Sequence, residues 1–450
     1  MKKKILLIAA AAALAVLAVI AATGWQRGAM NQQQPPPPPT GLHGKPMGPP
    51  PGGINGQPPG KPPGAGTGKR EGTVSPHGIS LTKNSENVSS KVFTSDGEDE
   101  VAVKVSGGKL MMKDCRIEKT GADSKEGDGT SFFGINSGVL ATGDGQIIMN
   151  GGNITTNAVG ANGIVAYGGK VIANNVTIDC KKNLSRGIHA TGGGTIIAND
   201  LNITTAGNNS SVIATDRGGG TVTVTRGSYH AKGKDCAVCY STGKIIVSDI
   251  DGTSEIGEIG VVEGDNELLI TNCRMTSGDK RRGMLILQSG SGDAEGFHGI
   301  IKVTGGSLKT HKKAPLLEVA TSTEGSLELC DVSLDVPSGV LMLVDYNRSW
   351  NTSNPVGHLY LRTAKQASYS GNVVLDEYGT ATVEVGKGVT WNGAIDNKDK
   401  GKSTAVNVLG TWNLTADSYV DTLTLQQGAT VNRGGHRLTY KTLTNNGNIN

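Results

Sequence analysis

Aromatic side chains are scarce in this chain: they make up 4% of 450 residues, with only 4 Phe and 4 Trp. Glycan recognition by rows of exposed aromatics is therefore not signalled. No apolar pattern of period 3.6 in the body is long enough for a helix, which excludes bundles and alternating α/β folds. A basic surface is missing as well. The net charge is +4, but residues 1–70 hold eight Lys or Arg and no acid, so the remainder carries about −4. Nucleic acid is accordingly not an expected partner.

Glycine, in contrast, is abundant: 67 residues spread along the whole length. Combined with many short runs of Val, Ile and Leu, this predicts tight turns between short apolar strands.

Residues 1–30 read as an export segment. Lys2–Lys4 precede an uncharged apolar run from Ile5 to Thr23, and Ala21–Ala22–Thr23–Gly24 offers a cleavage site. The run approaches the roughly 20 residues that span a bilayer, so a removed signal peptide and an uncleaved N-terminal membrane anchor, an apolar helix, both fit. Residues 31–74 form a linker: 13 of the 17 prolines lie between Pro35 and Pro63. Lacking amide donors and fixed in φ, such a stretch is expected to be disordered and extended. The organisation expected is export segment or anchor, linker, a main body over 75–355, and a continuation with shorter repeats over 356–450.

The body repeats. Octets align from Leu110 (LMMKDCRI), Ile147, Val171, Ile196, Val222, Ile245, Leu268, Ile301 and Leu327 (LELCDVSL), separated by 37, 24, 25, 26, 23, 23, 33 and 26 residues. Most steps match one turn of a three-stranded coil, and the two long ones fit a turn carrying an insert. Positions one, three, six and eight are mostly apolar and position seven polar, so the alternation changes phase at position five. That position reads Asp114, Gly151, Asn175, Asp200, Arg226, Asp249, Asn272, Gly305 and Asp331. Gly, Asn and Asp tolerate a left-handed backbone, which predicts a single-residue corner between two inward-facing strands. Arg226 is the exception, and Gly227 is expected to take its strain. A second strand precedes each octet (GVLATG from Gly138, GIVAYG from Gly163, GIHATG from Gly187, SVIATD from Ser211). The fold expected is an all-β, right-handed parallel β-helix.

Glu118–Gly143, Gly160–Gly169 and Ser211–Val224, with the stretch TWNLTADSYVDTLTL from Thr411, resemble bacterial cell-surface parallel β-helix proteins of the adhesin-like and pectin-lyase-like kind. The resemblance covers about residues 75–450 and implies the fold. Because that group mixes lyases, hydrolases and adhesins, it implies no single activity.

Position two of the octet should face outward, yet it is apolar at Met111, Ile148, Ile172, Ile197, Ile246 and Leu269, with Thr223 between them. This row would run roughly 30 Å at the strand spacing. It is either a binding ladder or a stack that stiffens the sheet. A second outward row is expected at Leu140, Val165, His189, Ile213 and Cys239. The catalytic candidates are Arg186, His189, Asp216 and Arg217, near one corner of successive turns. Asp96, Glu98, Asp99 and Glu100 are metal candidates because carboxylates suit Ca²⁺, though their spacing matches no known calcium loop; Asp123, Glu126 and Asp128 stand with them. No other cofactor is expected. The six Cys are expected as core residues rather than disulfides, since Cys115 and Cys273 share octet position six several turns apart. Tyr167, Tyr240, Trp350, Trp391 and Trp412 are the conceivable sugar platforms.

The expected function is an exported adhesive or binding module for a cell-surface, matrix or polysaccharide ligand, contacted through outward ladders or the inserts at 118–132 and 278–299. The alternative is a pectate-lyase-like carbohydrate-active enzyme or a Ca²⁺-dependent polysaccharide-binding protein. A stalk without ligand is a third reading, and the oligomeric state is left open.

Overall fold

The structure is a computed structural model that describes residues 72–450, apart from 128, 289–293, 295, 321–323 and 347–353. The export segment, nearly all of the linker, Asp128, Trp350 and part of the second insert lie outside the described residues. Among the described residues, no helix is long and apolar enough to cross a membrane.

The chain winds into a parallel β-solenoid of about 15 turns. Three sheets run along its axis, and every pairing between named strands is parallel. A 12-stranded sheet, here sheet A, begins at Thr73–Leu81 and ends at Asn372–Leu375. A 22-stranded sheet B takes up to two strands per turn, such as Lys170–Asn174 and Thr177–Cys180. A 5-stranded sheet C, from Ala367–Ser370 to Asn448–Ile449, forms the third wall at the C-terminal end.

The octets stack in register. Leu110 pairs with Ile147, then Val171, Ile196, Val222, Ile245, Leu268, Ile301 and Leu327 follow without a slip. The same column continues through Leu359, Val383, Val406, Leu423 and Leu443. From Leu110 to Leu423 each of these side chains is buried in the lumen. At roughly 1.5–3 kcal/mol per buried aliphatic side chain, such columns dominate stability. In the last turn Leu443 is 36% exposed and Tyr440 40%.

The corner reading holds at all nine positions, which have φ between 49° and 71°. Arg226 corrects the expectation: it adopts φ 56° itself, and Gly227 follows at 112°. Gly227 is needed there for a different reason, since a Cβ would meet the carbonyl oxygen of Leu201 at 2.1 Å. Ser90, one turn before Asp114, extends the corner with φ 51°.

Beside the corners, carboxamides form ladders. Asn174 Nδ2 donates to Asn150 Oδ1 at 3.0 Å, and Asn199 Nδ2 to Asn174 Oδ1 at 2.9 Å. On sheet C, Asn392 donates to Ser368, Asn413 to Asn392, Asn432 to Asn413 and Asn450 to Asn432, at 2.8–3.0 Å.

All six Cys are free, five of them buried. Burial pushes the Cys180 thiol up to about 12 and Cys236 up to about 11. Thiols held protonated in this way are poor nucleophiles and poor metal ligands. The C-x-x-C of Cys236 and Cys239 is therefore packing. Cys236 Sγ lies 3.0 Å from the Ser210 amide and 3.1 Å from the Gly207 carbonyl, and Cys239 stacks between Ile213 and Gly260.

Candidate functional site

The outward row of octet position two is continuous: Met111, Ile148, Ile172, Ile197, Thr223, Ile246 and Leu269 are direct neighbours on successive turns. Lys302, Glu328, Tyr360 and Glu384 prolong it. Met111 is 39% exposed, whereas Ile148 to Leu269 are half-buried because each leans on the next. Polar columns flank the row, with Lys109, Gln146 and Lys170 on one side and Lys113, Asn150 and Asn174 on the other. It is an apolar stripe one residue wide.

The second outward row differs from expectation. The register aligns Leu140, Val165, His189, Ala214, Tyr240, Val261, Leu285 and Glu318. Ile213 and Cys239 occupy the neighbouring inward column, between Ile188 and Gly260. Nor is the row open at its N-terminal end: Leu140 is 1% exposed, Val165 and His189 0%. The first insert lies over it and carries the short helix α1, Gly129–Phe133.

Arg186, His189, Asp216 and Arg217 do come together, beneath this insert. An Arg186 Nη lies 3.3 Å from Asp216 Oδ2, and His189 Nε2 lies 3.8 Å from the same oxygen. The Arg217 guanidinium stacks 4.1 Å from the Phe132 ring centre. Arg186 also donates to the Ser131 hydroxyl, Thr191 Oγ1 to the Phe132 carbonyl at 3.2 Å, and Asn162 Nδ2 to the Thr130 carbonyl at 3.1 Å. Charge-assisted bonds and cation–π contact act here as a clamp that seats the insert. Burial, aided by Arg186, holds the His189 imidazole well below the ordinary histidine pKa, hence neutral. Neither of its ring nitrogens has a hydrogen-bond partner among the described residues, and 3.8 Å to Asp216 is beyond bonding range. Proton transfer to a ligand at His189 would require the insert to lift.

Farther along the same face lies a group that sequence reasoning missed. Arg282 Nη1 meets Glu318 Oε1 at 3.0 Å, and its Nε lies 3.5 Å from Glu258 Oε1. Burial outweighs Arg282 and pushes the Glu318 carboxyl up to about 7. Burial, then the neighbouring Asp376, pushes Asp345 to about 6. Carboxyls poised near neutrality suit proton transfer. The one sequence signal was a charge at Glu318 inside the apolar run Leu316–Ala320.

The acidic loop is occupied by local partners. Glu100 Oε2 accepts from the Gly97 amide at 3.1 Å, Asp99 Oδ1 from Ser124 Oγ at 2.5 Å, and Glu98 pairs with Lys125 at 3.3 Å. Lys119 reaches into the loop to the Gly97 carbonyl, while Asp123 accepts from the Val159 amide at 2.8 Å. Among the described residues, no three His, Cys, Asp or Glu gather as a metal site.

Two of the aromatic platforms are corrected. Trp391 and Trp412 are lumen residues, 0% exposed and stacked at 5.0 Å, with their indole N–H groups donating to Gly371 and Gly393. Tyr240 donates to Glu263 at 2.7 Å. Tyr167, 37% exposed, packs edge-on against Phe133.

No protein-family model, no curated protein and no solved structure matches this chain.

Proposed function

We propose that this chain is an exported binding module of the adhesin-like kind, held at the cell surface by its N-terminal segment and the Pro-rich linker. The coil would present a rigid flank to an elongated protein or glycan. The observation that carries this reading is the apolar stripe from Met111 to Leu269, in register over seven turns and bordered by polar columns. A partner laid along the axis gains repeated contacts without ordering the protein, because the stack is already rigid. The test is binding of the full chain to matrix proteins, polysaccharides and intact cells, with Ile172→Lys and Ile197→Lys interrupting the stripe. Loss of binding with unchanged melting supports the stripe as the contact. Failure of the parent chain to bind any class favours a stalk without ligand.

A second reading is a carbohydrate-active enzyme, favoured by Glu318 and Asp345 with raised carboxyl pKa values on one face. Release of reducing ends or unsaturated sugars from a polysaccharide panel, lost in Glu318→Gln, would establish it.

A further inference from the structure

We infer that the corner between sheets B and C at the C-terminal end is a binding groove for a neutral polysaccharide chain lying along the coil axis. The proposal rests on the binding-module reading and gives it a second site and a ligand class. The groove encloses about 710 Å³ and crosses four turns, at 366–368, 387–390, 409–411 and 426–428. At the strand spacing this is a length of roughly 14 Å, enough for a short run of sugars rather than one.

Its chemistry differs from that of a second groove among the described residues. That groove, about 490 Å³, has Asp251, Arg274, Lys309 and Asp335 in its lining, which neutralise each other in pairs at 2.6 and 2.9 Å. The C-terminal groove has no carboxylate and a single cation, Lys387. The side chains of Gln366, Lys387 and Gln427 are exposed and make no hydrogen bond or ion pair to another described residue. The hydroxyls of Thr390 and Thr411 recur one turn apart on sheet C. Half-buried Ala367 and Leu409 add apolar surface between these polar groups, while Val389 turns into the core.

Unspent amide and hydroxyl groups, interleaved with apolar patches and nearly free of charge, match a chain that offers hydroxyls on its edges and C–H groups on its faces. An anionic polymer would want more than one cation over four turns. A peptide would find no unpaired strand edge here, since Val389–Asn392 and Thr411–Asn413 are paired on both sides.

Affinity electrophoresis of the full chain through gels containing dextran, xylan or glucomannan tests the proposal. Retardation by at least one of them, little changed by salt, is expected. The triple variant Gln366→Ala, Lys387→Ala, Gln427→Ala should weaken it about tenfold or more, with melting unchanged because all three side chains are exposed. Ile172→Lys should leave it intact. Retardation undiminished in the triple variant overturns the groove, as does the absence of retardation in all three gels. Retardation only by polygalacturonate, abolished by salt, overturns the neutral assignment. Each of these results leaves the binding-module reading to the cell and matrix assay.

Discussion

Arg226 holds a left-handed backbone at φ 56°, and its guanidinium meets both carboxylate oxygens of Asp200, one turn earlier, at 2.7 Å each. Two adjacent corners are thus tied across the outside of the coil. The pair is exposed, so its own contribution is modest; the corner conformation is the larger constraint.

Corner substitutions should follow backbone rules rather than side-chain polarity. Asn175→Gly is expected to be tolerated within a few tenths of a kcal/mol, whereas Asn175→Val should cost about 2 kcal/mol or more, because a branched side chain resists positive φ. At Arg226, Gly should be less damaging than Ala, which keeps the strain and loses Asp200. Urea unfolding of the four variants measures both contrasts.

The insert over sheet A should loosen before the coil does. Phe132→Ala removes a ring that is 8% exposed and the cation–π contact with Arg217, a loss of about 1–3 kcal/mol of local seating. Hydrogen exchange over 129–133 should accelerate, with protection of Ile164–Tyr167 and Ile188–Thr191 retained. Equal loss of protection in those strands would mean that the insert is integral to the coil.

Glu318 sets a pH dependence. Its folded carboxyl lies at about 7, above its ordinary value of 4.5, so the folded state binds the proton more tightly than the unfolded state. Its contribution is favourable at low pH and is lost as pH rises from about 4.5 to about 7, by at most about 3 kcal/mol. Glu318→Gln should flatten that decline in thermal melts. His189 acts in the opposite sense, since its lowered pKa costs stability as pH falls below 6.5. Melts of His189→Phe separate the two.

Thiol accessibility is the simplest check of the core. With Cys115, Cys180, Cys236, Cys239 and Cys273 buried, a native-state titration with a thiol reagent should find one accessible group, Cys330, slowed because burial and then Asp331 raise its pKa, and six after denaturation. Rapid modification of several thiols in the native chain would contradict the packing of these columns.

The coil itself was legible because its corner is a single residue with a strict conformational demand. Asp114, Asn175 and Asp249 announced the turn period, and the lumen columns followed from alternation on either side. Sheet A was harder. Leu140 and Val165 face outward yet are buried beneath the insert, so both faces of the strand are apolar and alternation carries no parity. That ambiguity let Ile213 and Cys239 be placed one residue out of register. The Glu318 group was hidden for a related reason: Arg282, Glu258 and Glu318 sit on different turns, and only the wound coil brings them together. Trp391 and Trp412 misled in the other direction, since a lumen wide enough for stacked indoles is not visible in composition.

The carboxamide ladders have a consequence for damage. Every link hands its N–H to the preceding turn, Asn199 to Asn174 to Asn150 and Asn450 to Asn432 to Asn413 to Asn392. The chains are therefore one-way and polarised along the axis. Deamidation at a middle rung such as Asn413 would replace a donor with a negative charge facing the oxygen of Asn392, breaking one bond while still accepting the next. The same lesion at Asn450 would likewise break one bond, whereas at Asn150, which only accepts within its ladder, it would break none. Chemical ageing of this protein should thus be felt at every donating rung and least at the accepting end of each ladder.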